Sequence, residues 1–107
     1  MKKYLKEWAD KIDELSGKEK ELIQLKEDYE TESDKLLDEA AKIKNETGED
    51  IIKNMYGRNN DKTRRKYIKE QLANKNKEII DCELRIDYLK RRISFLKGLV
   101  NYMGNVQ

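Results

Sequence analysis

Cations are the residues most able to do chemistry here. Lys62, Arg64, Arg65, Lys66 and Lys69 crowd one short stretch, and Lys90, Arg91 and Arg92 form a second cluster. Side chains of this kind on a helix bind phosphates and release counterions from nucleic acid, so the first cluster is a candidate set of phosphate contacts. The plainer reading is a solvated helix face balanced by the acidic half of the chain, and no base-reading motif accompanies the cations. Glu27, Asp28, Glu30, Glu32, Asp34, Asp38 and Glu39 form the opposite patch. It reads as a solubilising face or as a mimic of phosphate charge, although Lys26 and Lys35 dilute its field.

Other chemistry is thinly provided for. The chain has no histidine, which removes His-based triads, His general bases and His metal ligands. Cys82 is the single cysteine, so neither an intrachain disulfide nor a cysteine zinc site is open to it. It falls on an apolar seam with no activating group beside it in sequence, as expected of a buried, inert thiol. There is no glycine-rich phosphate loop. The sequence therefore predicts no enzyme, no catalytic or metal-ligating residues, no cofactor and no small-molecule substrate. The first fifteen residues are charged throughout and no run approaches a membrane span, which predicts a cytoplasmic protein with no membrane partner.

The elements that must carry these side chains are helices. Charged residues make up 43% of the 107 and proline is absent, so the chain can bury a narrow stripe but not a thick core. Along the first arm Trp8, Leu15, Leu22, Tyr29, Leu36 and Ile43 recur every seven residues, with Leu5, Ile12, Glu19, Lys26, Ser33 and Ala40 as the weaker alternate sites. This spacing predicts a first long helix over about 2–45. Gly17, with a capping-box pair at Ser16 and Glu19, is a place for it to bend or restart. Thr47 and Asp50 have capping spacing ahead of a short helix over about 48–56, which Gly57 ends as a left-handed cap. Asn60 or Asp61 then caps a second long helix over about 61–103.

That second helix carries the clearest periodicity in the chain. Leu72, Ile79, Ile86, Ile93 and Val100 alternate with Ile68, Lys75, Cys82, Leu89, Leu96 and Met103. Branched residues at one site and leucine at the other suit a two-stranded coiled coil. The predicted packing seam is Leu72, Ile79, Ile86, Leu89, Ile93, Leu96 and Val100. A second strip of Tyr88, Phe95, Leu99 and Tyr102 lies beside it, too broad for one partner helix. Tyr88, Phe95 and Tyr102, with Arg91 and Arg92, are the expected partner surface.

Charge divides between the arms. Residues 1–50 hold 10 Lys/Arg against 16 Asp/Glu, and residues 51–107 hold 14 against 6. The predicted fold is all-α: a single domain, 1–107, in which a long antiparallel helical hairpin or coiled coil is joined through a short connecting helix. Its core is thin, which predicts self-association as a homodimer or higher oligomer.

Two stretches of the second half extend the reading. Met55-Tyr-Gly-Arg-Asn-Asn-Asp-Lys-Thr-Arg-Arg-Lys-Tyr-Ile-Lys-Glu-Gln-Leu72 and Leu84-Arg-Ile-Asp-Tyr-Leu-Lys-Arg-Arg-Ile-Ser-Phe-Leu-Lys97 resemble small helical proteins encoded by bacteriophages of Gram-positive bacteria. The resemblance brings no catalytic role. It implies a host bacterial cytoplasm and a setting of replication, recombination or counter-defence. The expected function is an interaction module that binds, and inhibits, a nucleic-acid-handling host or defence protein such as a nuclease. The alternatives are a nucleic-acid-binding accessory for replication or recombination, and a structural coiled-coil spacer.

Overall fold

The structure is a computed structural model that describes the backbone of residues 2–106 and the side chains of residues 2–104. Every regular element in this range is helical: α1 (Lys2–Thr47), α2 (Ile51–Tyr56), α3 (Asp61–Gln71) and α4 (Ala73–Val106). The chain divides into two compact units. One joins residues 1–24 to residues 79–107, and the other is the continuous stretch 25–78.

In the first unit, the opening half of α1 packs on the closing part of α4. Glu7 meets Arg92, Glu14 meets Arg85, and the Cys82 thiol meets the carbonyl of Lys18. Position rises along α1 as it falls along α4, so the two segments pair with opposite chain direction. Burial along α4 falls mainly on heptad positions. Leu89 and Leu96 are 0% exposed, Ile79, Cys82 and Ile86 are buried, and Ile93 and Val100 are partly covered.

The α1 side of this seam corrects the expected pattern. Trp8, Leu15 and Leu22 are half-buried as predicted, but Leu5 and Ile12 are 41% and 44% exposed. The covered flank is Tyr4, Lys11 and Lys18 instead. Lysine stems can lie along apolar surface while their ammonium groups stay in water, so a cationic line substitutes for the apolar one.

Gly17 is a second correction: α1 runs through it as one helix and does not restart there. An exposed helical glycine costs about 1 kcal/mol relative to alanine. Contacts to α4 on both sides of it, at Glu14 and Lys18, hold the helix across the weak point.

The second unit is built on caps. α1 continues to Thr47, where Gly48, at a φ of 75°, donates its N–H to the Lys44 carbonyl. Thr47 turns its hydroxyl back onto the Ile43 carbonyl, so it closes α1 and does not cap α2. Asp50 alone caps α2, accepting the Lys53 N–H at 3.1 Å, and α2 therefore starts at Ile51, not near 48. Gly57, at a φ of 80°, ends α2 as expected. Asn60 and Thr63 form a reciprocal capping box at the start of α3. These turns bring Ile52 and Tyr67 onto Ala40, with Leu36, Leu37, Ile51 and Tyr56 packed around them.

The second long helix, expected as one piece over 61–103, is interrupted at Leu72 and extends to Val106. The break is slight. Leu72 has φ −106° and ψ 28°, yet its N–H still reaches the Ile68 carbonyl and its own carbonyl accepts from Asn76. The helical hydrogen-bond ladder thus passes through a locally altered backbone angle.

Candidate functional site

α4 displays a line of large apolar side chains on the side away from its seam. Ile80, Leu84, Tyr88, Phe95 and Tyr102 are between 41% and 68% exposed. A helix brings residues three and four apart onto one face, so Leu84, Tyr88, Arg91 and Phe95 form a continuous strip. Large apolar side chains grouped on one exposed face make this the candidate docking surface.

Two of the rings, Tyr88 and Phe95, share a repeated contact. The Arg85 guanidinium makes two hydrogen bonds to the Glu14 carboxylate, at 2.6 and 2.8 Å, and lies 4.9 Å from the centre of the Tyr88 ring. One heptad on, Arg92 binds Glu7 at the same two distances and lies 5.2 Å from the Phe95 ring. Each arginine is clamped between a carboxylate on α1 and an aromatic face on α4. Its planar fork suits the bidentate carboxylate contact, and its flat cationic face suits the ring. The hydrogen bond from Arg92 holds the Glu7 carboxyl below its ordinary range, and Arg85 does the same to Glu14. Fixing the rings in this way reduces the side-chain freedom that a docking event must remove.

The expected partner surface is therefore divided in role. Tyr88, Phe95 and Tyr102 are exposed on the outer face. Arg91 is exposed there and makes no ion pair among the described residues. Arg92 is engaged by Glu7 and lies against the Phe95 ring. Sequence reading missed Glu7, Glu14 and Arg85, along with Ile80 and Leu84 as members of the face. The signal was present: two glutamates seven residues apart on one arm mirror two arginines seven residues apart on the other, on the flank of each seam where paired helices exchange charges.

The candidate phosphate contacts belong to the other unit, where helical spacing sets Arg64 on a different side of α3 from the rest. Arg64 donates Nε to the Asn59 amide oxygen at 2.7 Å and sits 3.5 Å from Asp61. Lys66 lies 5.3 Å from the Tyr56 ring, whose hydroxyl donates to Glu70. That hydrogen bond pushes the Tyr56 hydroxyl up to about 12, so it stays protonated at any physiological pH. Arg65 and Lys69 border a shallow groove with Tyr29, Ser33, Ile68 and Asn76, and Lys62 is exposed. Lys62, Arg65 and Lys69 share one face of α3 by their spacing and have no ion-pair partner among the described residues.

The Cys82 thiol is buried, its pKa is raised chiefly by that burial, and it donates to the Lys18 carbonyl at 3.4 Å. A thiol so placed is a poor nucleophile. Asp50 is drawn into a network missed in the sequence. It caps α2, accepts the Asn59 side-chain amide and lies 3.6 Å from Lys44, and the Lys53 N–H leads the effects that lower its pKa. Trp8 keeps its indole N–H buried without an acceptor. Among the described residues no group of acidic, Cys or His side chains is placed to hold a metal ion, and no helix is long and apolar enough to cross a membrane. No protein-family model, curated protein or solved structure matches the chain.

Proposed function

We propose that the chain is a non-enzymatic interaction module, a helical hairpin that uses the outer face of α4 to bind and inhibit a nucleic-acid-handling protein such as a nuclease, in a bacterial cytoplasm. One observation carries the docking face: five large apolar side chains stand exposed along a single side of α4, while the seam behind them is already filled by α1. Aromatic and arginine side chains dominate the energetics of protein contacts, and here the rings are preset by the Glu–Arg clamps. The class of partner rests on the resemblance of residues 55–72 and 84–97 to phage-encoded helical proteins.

A photoreactive amino acid placed at Phe95 or Tyr102 and activated in the producing cell tests this. A nucleic-acid-handling protein cross-linked from those sites, and not from exposed Lys20 on α1, is the expected result. Absence of any adduct at both sites removes the docking face; an adduct to an unrelated protein removes the partner class.

A second reading is favoured by the unpaired Lys62, Arg65 and Lys69 on one face of α3: an accessory protein that contacts phosphates there. It predicts retarded nucleic acid in a gel at low salt, with binding that falls steeply as salt rises.

A further inference from the structure

We infer that the centre of the outer α4 face, Asp81 to Arg91, is a two-fold contact with a second copy of this chain. The inference rests on the docking-face reading above and names one occupant of that face. Asp81, Leu84, Tyr88 and Arg91 follow steps of three, four and three, so they form one strip on α4, opposite the Ile86–Leu89–Ile93 seam. All four are exposed, and neither Asp81 nor Arg91 has an ion-pair partner among the described residues.

The order of these four decides how two copies meet. About a two-fold axis at Ile86, Asp81 and Arg91 lie at equal distances on either side, as do Leu84 and Tyr88. An antiparallel copy therefore sets Asp81 of each chain against Arg91 of the other, and Leu84 of each against Tyr88 of the other. The strip is self-complementary, which is the requirement for an isologous dimer. A parallel copy in register sets Asp81 against Asp81 and Arg91 against Arg91, and like charges in contact oppose it. Each Tyr88 ring enters already supported by Arg85, which Glu14 holds from α1.

The contact is short, at the small end of specific protein interfaces, so the dimer exchanges with monomer as concentration changes. Phe95 and Tyr102 lie beyond Arg91 toward the C-terminal end of α4 and stay open for a different protein. Self-association was expected of this chain through Ile86, Leu89, Ile93, Leu96 and Val100. Those side chains line the seam that α1 covers, which is why the contact between copies falls on the other side of the helix.

Sedimentation equilibrium of the full chain over a wide concentration range tests the inference, with circular dichroism confirming that each variant stays helical. The expected result is a reversible monomer–dimer equilibrium. Asp81→Arg alone and Arg91→Asp alone should each weaken it about tenfold, the equivalent of 1.4 kcal/mol. The double exchange D81R/R91D should restore it to within about threefold of the original. Leu84→Ser, an exposed change that leaves the seam intact, should weaken it as well. A chain that is monomeric throughout overturns the two-fold contact while leaving the cross-linking result at Phe95 to decide the docking face. Dimers indifferent to Leu84→Ser overturn it too, and a double exchange that fails to rescue overturns the antiparallel register.

Discussion

The two units solve the same problem, a chain rich in charge and poor in core, by different means. Residues 25–78 fold through local signals: Gly48, Asp50, Gly57, Asn60 and Thr63 each act on a neighbour a few positions away, and together they turn α2 and α3 onto Ala40. Among the described residues, the unit made of 1–24 and 79–107 has no such punctuation. Its pairing depends on side chains more than sixty positions apart, an apolar seam with Leu89 and Leu96 fully enclosed and a Glu–Arg pair repeated along one edge. One unit is specified by where the chain must turn and the other by which side chains must meet.

The largest test of this contrast compares one core residue from each unit. Leu89→Ala and Ile52→Ala each remove an enclosed aliphatic side chain and should each cost about 3 kcal/mol. Hydrogen exchange should show Leu89→Ala releasing amides of 2–24 and 79–106 first, and Ile52→Ala releasing those of 25–78 first. Equal loss of protection everywhere for both variants would show one cooperative block in place of two.

A middling effect is expected from Asn60→Ala. It deletes the side-chain acceptor of the capping box and should cost about 1 kcal/mol by urea titration, with the faster exchange confined to α3 and its neighbours. No equivalent single change to a backbone cap exists in the paired region of 2–24 and 79–104, where nothing turns.

The smallest effect should come from acid. Glu7 and Glu14 have folded-state pKa values below the ordinary 4.5 because Arg92 and Arg85 donate to their charged forms. A carboxylate lowered in this way stabilises the fold above its unfolded pKa, and that contribution disappears as pH falls through the folded value. Melting temperature should therefore decline below the ordinary glutamate range, and a chain carrying both Glu7→Gln and Glu14→Gln should show a shallower decline. Identical acid profiles for the two chains would remove the clamps from the account of stability.

Much of this architecture was legible in the residues. Heptad spacing from Ile68 to Met103 marks which side of the second arm is covered, because a helix turns 100° per residue and leaves only one stripe for contact. Asp50, Gly57 and Asn60 announce the connection because caps act within one turn.

What remained hidden were choices between alternatives of similar local merit. Leu5 and Ile12 promise a buried line better than Tyr4, Lys11 and Lys18 do, yet the latter are covered, since the flank that faces α4 depends on the rotation at which two distant helices dock. Gly17 and Ser16 look like a stop, yet cooperative hydrogen bonding and the contacts at Glu14 and Lys18 carry α1 past them. Arg92 reads as a free recognition residue until Glu7 is known to lie opposite it, eighty-five positions away. Periodicity and capping are local properties that the sequence settles by itself. Helix rotation, ion-pair partners and the face left open arise from long-range docking, and only the tertiary structure decides them.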